Sequence, residues 1–98
     1  MMFKVEIDEL VFEKDFKKID KTNQRRIIKT IRKKLTTKPK EFGKPLTGNL
    51  KGYWKLRVGK YRVIYEIEEE KVLVYVIMIG YRRNEEIYKK VISRLGLE

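Results

Sequence analysis

The stretch that most restricts the fold is YWKLRV-GK-YRVIYEI, residues 53–67. Two runs rich in β-branched and aromatic residues flank a two-residue link with glycine first, the pattern of a type II′ β-hairpin. A link of that length sets the register: Val58 opposes Tyr61, Arg57 opposes Arg62, and Lys55 opposes Ile64. The longest apolar run, residues 72–79, follows. Folded back around Glu69-Glu70, it would set Ile67 opposite Val72 and Ile64 opposite Tyr75. One face of this meander then collects Trp54, Leu56, Val58, Tyr61, Val63, Tyr65, Ile67, Val72, Val74, Val76 and Met78, all apolar or aromatic. The other collects Tyr53, Lys55, Arg57, Arg62, Ile64, Glu66, Leu73, Tyr75, Ile77 and Ile79. A one-residue slip would bury a lysine and two arginines, so the alternation selects the register.

The remaining segments supply a cover for the apolar face. Residues 2–7 alternate, with Phe3, Val5 and Ile7 on one side, and predict a short strand. Leu10, Val11, Phe12, Phe16 and Ile19 suit one helix. Thr22 or Asn23 can cap a second, whose apolar stripe is Ile27, Ile28, Ile31 and Leu35. Residues 38–52 hold both prolines and three of the six glycines, which predicts a loop tucked onto the core by Phe42, Leu46 and Leu50. Residues 84–95 predict an amphipathic helix, with Asn84 as cap, Glu85 and Glu86 in the first turn, Ile87, Val91 and Leu95 inward, and Gly96 at the end. The expected fold is α+β in the order β-α-α-β-β-β-α. An antiparallel meander carries two N-terminal helices on one face and is followed by a C-terminal helix. Ninety-eight residues make one domain, residues 1–98, with one core and one open working surface.

Composition excludes several chemistries. The chain has no cysteine and no histidine. Disulfides, thiol nucleophiles and Cys-based zinc sites are therefore ruled out, and so is the usual neutral-pH base. No apolar run approaches the ~20 residues of a membrane span. The opening MMFKVEID places acids where a signal peptide needs apolar residues, so a cytoplasmic protein without a membrane partner is expected. The net charge of +11 is unevenly spread: residues 1–20 carry 4 bases and 6 acids, residues 63–98 carry 6 and 7, and residues 21–62 carry 15 bases against one acid, Glu41. So local an excess suits a polyanion, nucleic acid first. The second helix presents Arg25, Arg26, Lys29, Arg32, Lys33 and Lys34, and Lys51 and Lys60 extend the basic region.

The hairpin concentrates that charge. Arg57 and Arg62 face each other, Lys55 lies one pleat away, and Glu66, at the far end, is the only acid on that face of the two strands. Like charges directly opposed repel. A charge-guarded sheet edge would use a lysine or two, not facing arginines. An anion that joins the cations accounts for them, and the planar arginine fork suits phosphate. Gly80 marks a turn from which Arg82 can return toward this face, and Tyr88 follows in the last helix. The acids cluster at residues 6–20 and 66–70, away from the cations, which disfavours a two-metal nuclease.

The strings GYWKLRVGKYRVIYEI and VIMIGYRRNEEIY closely resemble the RelE-type toxins of bacterial and archaeal toxin–antitoxin pairs, within the RelE/ParE superfamily. The resemblance runs over nearly the whole chain and implies the RelE-like fold. It also implies a ribosome-dependent endoribonuclease that cleaves mRNA in the A site by attack of the 2′-OH on the adjacent phosphate. Such an enzyme uses no metal and no cofactor, and a RelB-like antitoxin restrains it. Carried over by motif, catalytic weight falls on Lys55, Arg57, Arg62, Arg82 and Tyr88. Arg57 and Arg62 would stabilise the phosphorane, Lys55 would act as base or further stabiliser, and Arg82 or Tyr88 would stand near the leaving oxygen. The basic helix residues, with Lys51, Tyr53, Lys60 and Tyr81, would bind RNA or ribosome. The chain departs from the pattern at Tyr53, where some relatives carry a second basic residue, and at Tyr81, where many carry His or Lys. Two other readings stay open: a ParE-like, non-nuclease inhibitor of DNA gyrase, and a catalytically weak RNA- or ribosome-binding domain of the same fold. ParE-like members generally lack the full set of cations plus tyrosine.

Overall fold

A five-stranded sheet forms the centre of the computed structural model, which describes residues 2–81 and 86–97. Its strands are β1 (Lys4–Ile7), β2 (Lys44–Pro45), β3 (Tyr53–Val58), β4 (Tyr61–Glu68) and β5 (Leu73–Tyr81), in the order β1-β5-β4-β3-β2. β3, β4 and β5 form the expected antiparallel meander, and β1 lies parallel to β5, with Lys4 opposite Leu73 and Ile7 opposite Val76. The first hairpin has the register read from its two-residue link, with Val58 opposite Tyr61, Arg57 opposite Arg62 and Lys55 opposite Ile64. Gly59 takes φ +58° while Lys60 keeps a negative φ, as a type II′ turn requires.

The second hairpin differs from expectation. Glu69–Lys71 form a 3₁₀ turn and Val72 adopts a left-handed conformation, so the link is longer than two residues. Ile67 therefore opposes Val74, not Val72. A β-bulge then displaces the ladder: Tyr65 opposes Val76 but Ile64 opposes Met78, leaving Ile77 extra. Two residues against one turn the rest of β5 over. Met78 leaves the face predicted for it and Ile79 takes its place.

The helices cover both faces. Residues 9–18 are a helical passage, but its central part, Val11–Asp15, is a π turn and Phe16–Lys18 a 3₁₀ turn. The wider π turn lets Val11 and Phe16, five apart, both reach the core. Phe12 does not; it is 50% exposed and packs edge-on against Phe16. α1 spans Lys21–Lys34, and its N-cap is Asp20, not Thr22 or Asn23. The Asp20 carboxylate accepts from the Asn23 backbone N–H and, at 2.6 Å, from its side-chain amide. Ile27, Ile31 and Leu35 are fully buried against Leu56, Val63, Tyr65, Val74 and Val76.

The segment read as a loop, residues 38–52, contains a short helix α2 (Pro39–Phe42), the edge strand β2 and a 3₁₀ turn at Gly48–Leu50. Leu50 is buried and Leu46 half-buried, but Phe42 is 46% exposed under the Lys34 ammonium. The last helix, α3, spans Glu86–Leu95. The proposed cap Asn84, with Glu85, lies outside the described residues. α3 packs Ile87 and Val91 on the second face of the sheet, against Leu50, Ile64, Ile77 and Met78.

Candidate functional site

Three rungs of the sheet build the site. Tyr53, Glu66 and Tyr75 form the first, Lys55, Ile64 and Met78 the second, and Arg57, Arg62 and Gly80 the third. All point to the α3 side. α3 covers the β5 end of these rungs and leaves the β3 end open. Lys55 and Arg62 are half-buried there and Arg57 is exposed. Arg57 and Arg62 follow the hydrogen-bonded pair next to the turn. Side chains approach most closely at such a position.

The Arg62 guanidinium folds toward the hairpin, donating to the Tyr61 carbonyl at 3.0 Å and the Gly59 carbonyl at 3.3 Å. Lys55 reaches the other way. Its Nζ donates to the Tyr88 hydroxyl at 3.1 Å and lies 5.6 Å from the centre of that ring. Tyr88, which sequence spacing alone would assign to packing, is thus delivered to the cations by α3. α3 packs closely on Gly80. A Cβ there would come within 3.1 Å of Ile87 Cδ1, so a side chain would require Ile87 to shift by a few tenths of an ångström.

β2 adds a cation that the sequence did not reveal. Lys44 lies directly opposite Lys55 on the outer edge and is exposed. A two-residue strand beside a proline has no periodicity to detect. No ion pair among the described residues involves Lys44, Lys55, Arg57 or Arg62. The nearest acid in the ladder is Glu66, at the far end of the face. Burial, and secondarily Glu68, raises the Glu66 carboxyl above its usual value, and burial likewise raises the Tyr53 hydroxyl. Among the described residues no group of three or more His, Cys, Asp or Glu side chains could hold a metal ion.

The other predicted residues divide into two groups. Arg25, Arg26, Lys29, Arg32, Lys33 and Lys34 lie on α1, on the opposite side of the sheet from Arg57 and Arg62. Arg26 approaches the hairpin, with Nη1 3.0 Å from where a Gly59 Cβ would sit. With Lys60 in the turn it joins the two basic surfaces around the hairpin tip. Lys51 is exposed ahead of β3, and Tyr53 is half-buried beside Glu66. Tyr81 ends β5, packed edge-to-face on Tyr61. Arg82 lies outside the described residues.

A second polar feature supports α3. The Arg94 guanidinium grips Asp15 through two bonds, Nη1 to Oδ2 at 2.8 Å and Nη2 to Oδ1 at 2.9 Å, with both side chains largely buried. Asp15 Oδ2 also accepts from the Ile79 N–H at 2.9 Å, and Arg94 Nη1 donates to the Ile77 carbonyl at 3.2 Å. The pair satisfies backbone groups at the bulged Ile77 and at Ile79 beyond it. It ties the π turn, β5 and α3 together.

Comparison with known proteins agrees with this architecture. The profile described as "ParE toxin of type II toxin-antitoxin system, parDE" matches residues 9–86. The mRNA interferase toxin RelE of Escherichia coli is 42% identical over 41 residues, which is 42% of this chain and 43% of that protein; the match spans less than half of that relative's length. The toxin–antitoxin complex RelBE2 from Mycobacterium tuberculosis contains a similar structure, with TM-score 0.75 and 24% identity over 84% of this chain and 100% of that one. A mutant of E. coli toxin RelE in the free state superposes with TM-score 0.73 and 23% identity, over 96% of this chain and 98% of that one. The profile match over most of the chain shows that the protein belongs to the ParE toxin family of type II toxin–antitoxin systems, and its fold is the one found in RelE.

Proposed function

We propose that the protein is a metal-independent endoribonuclease that cleaves mRNA in the ribosomal A site. The observation that carries this reading is the open cation face: Arg57, Arg62, Lys55 and Lys44 on neighbouring strands, with the Tyr88 hydroxyl 3.1 Å from Lys55 Nζ. RNA supplies its own nucleophile. Its 2′-oxygen attacks the adjacent phosphorus as the 2′-proton passes to water, the bond to the 5′-oxygen breaks, and a 2′,3′-cyclic phosphate remains. The protein must hold that geometry, neutralise the phosphorane and protonate the leaving oxygen. Arg57 and Arg62 neutralise the phosphorane. Lys55 donates to Tyr88 Oη, which leaves the phenolic proton free for the leaving 5′-oxygen. Lys44 extends the cation row outward, where the next phosphate would lie. Arg82 is retained as a candidate by its place in the motif.

The basic faces of α1 and the hairpin serve the ribosome, whose RNA they would meet on both sides of the sheet. A RelB-like antitoxin partner follows from the complexes in which the similar toxin structures occur. The action belongs in the cytoplasm, where translation is. The deciding experiment is primer extension on mRNA in a translation reaction with purified chain. Breaks within codons are expected, with supercoiled DNA and gyrase cycling unaffected. The family profile carries the ParE name, which favours a rival reading as a gyrase inhibitor. Intact mRNA with arrested gyrase would establish that rival instead.

A further inference from the structure

β1 ends at Ile7, opposite Val76, while β5 runs on to Tyr81. Beyond Val76 the outer edge of β5 therefore has no strand beside it among the described residues. The helical passage of residues 9–18 and α3 flank this edge and leave a groove of 830 Å³, within the size range of ligand sites. We propose that this groove is a second RNA subsite. In it a nucleobase of the strand held on the cation face stacks on Tyr81, and Lys14, Lys18 and Lys90 hold the flanking phosphates. The inference rests on the RNA reading above.

The chemistry of the edge argues for a nucleotide over a peptide. An open strand edge normally invites another strand. Here the Ile79 N–H is committed to Asp15 and the Ile77 carbonyl to Arg94, so a peptide strand finds ladder positions already occupied. The groove instead presents an aromatic surface. Tyr61 and Tyr81 pack edge-to-face, with centroids 5.7 Å apart at 83°. Tyr61 braces Tyr81, which remains 45% exposed. A braced and open aromatic ring is the usual platform for an unpaired base.

The charges agree. Lys14, Lys18 and Lys90 line the groove and are exposed. The Asp15 charge is neutralised by Arg94, and Glu86 is the remaining acid among the lining residues. The groove also adjoins the first site. Gly80 lines it and is the ladder partner of Arg62, while Tyr81, opposite Tyr61, projects from the α1 face, so the RNA strand turns around the end of β4 and β5 to reach it. A single RNA strand can cross from one to the other.

The test uses the full chain and a fluorescently labelled single-stranded oligoribonucleotide, with affinity read by anisotropy. The same strand is prepared with an abasic nucleotide at each position in turn. One abasic position should weaken binding by about tenfold, the worth of a stacked base. Tyr81→Ala should weaken the intact strand by a similar factor and erase the effect of that abasic position, whereas Tyr81→Phe should keep both. Lys14→Ala with Lys18→Ala should weaken every strand and flatten the salt dependence. Thermal melts confirm that each variant is folded. If Arg57→Ala loses binding while the groove variants keep it, the cation face stands and the subsite is overturned. If no oligonucleotide binds any form of the chain, the subsite is overturned, while the nuclease reading stands or falls by primer extension on the ribosome. If the groove variants leave RNA affinity untouched but lose an acidic antitoxin peptide, the groove belongs to a protein and the subsite is overturned.

Discussion

The two faces of the sheet are put to different uses. On the α1 face every rung is apolar, and Ile27, Ile31 and Leu35 close over Leu56, Val63, Val74 and Val76 without a buried charge. The α3 face is divided. Its β5 end is a second, smaller core of Ile64, Ile77, Met78, Ile87 and Val91, and its β3 end exposes Lys44, Lys55, Arg57 and Arg62. The bulge at Ile77 makes the division possible. It adds Met78 to the smaller core and returns Ile79 to the larger one, so β5 serves both. A small domain can therefore leave half of one face uncovered for an anion, provided the other face is complete.

The contrast depends first on the clamp at the β5 edge. Asp15→Ala would strand a buried guanidinium and the Ile79 N–H, and should destabilise the fold by about 3–5 kcal/mol in urea unfolding. Asp15→Asn keeps an acceptor and should recover part of that loss. If Asp15→Ala unfolds at the parent urea concentration, α3 is held by its apolar contacts alone and the clamp is incidental.

The next pair of substitutions separates stability from chemistry. Ile31→Ala, on the closed face, should cost about 2–5 kcal/mol of stability yet leave the cleavage rate of the folded protein near the parent value. Arg62→Ala, on the open face, should do the reverse. Relief of the Arg57 repulsion offsets the lost bonds to Gly59 and Tyr61, so stability should move by no more than about 1 kcal/mol. Single-turnover cleavage should fall roughly 10²-fold or more, as when a donor to a transition-state anion is removed. A collapse in melting temperature for Arg62→Ala would make the cation pair structural.

Tyr88→Phe probes the seam between core and site. The ring remains in the smaller core while the acceptor for Lys55 and the phenolic proton are lost. The rate should drop by about tenfold, or ~1.4 kcal/mol in the barrier, with ribosome affinity retained. Equal loss of affinity and rate would mean that the hydroxyl binds RNA without donating a proton.

How much of this was legible follows from how each element is specified. The first hairpin could be read because a two-residue link leaves one register, and that register alone brought Arg57 against Arg62. The second could not: a turn of three residues plus a left-handed Val72 shifts the pairing by two, and a bulge inside an unbroken apolar run leaves no mark in its pattern. The Lys55–Tyr88 contact needs α3 set down across the sheet, which sequence spacing does not encode; only the family resemblance pointed to Tyr88. Lys44 was hidden by the brevity of β2. Asp15 and Arg94 sit in helical segments where an isolated charge usually faces solvent, and only the bulge gives them a role. The charge run of α1 predicts its solvent-facing side, but the position of that side behind the sheet depends on which face α1 covers.

The smallest effect concerns Tyr75, on the same face as the cations but at its acidic end. Its hydroxyl donates to the Asp8 carboxylate, which also accepts from the Leu10 N–H at 2.8 Å and so caps the helical passage. The Tyr75 bond, then the Leu10 bond, hold the Asp8 carboxyl below its usual value, while the carboxylate pushes the Tyr75 hydroxyl up to about 12. A lowered carboxyl contributes stability that is present above its unfolded value and lost as pH falls through the folded one. A raised phenol contributes stability that is present below its unfolded value and lost as pH climbs toward 12. Tyr75→Phe should therefore lower stability by no more than about 1 kcal/mol near neutrality, since both groups are near solvent and screened. The difference from the parent should be constant from roughly pH 5 to 9 and shrink at both extremes. Chemical unfolding of the two proteins across that range measures it. A difference that persists undiminished in strong acid would mean that the Tyr75 hydroxyl acts independently of the Asp8 charge, and that the ionised carboxylate contributes nothing to holding β1 and the helical passage in place.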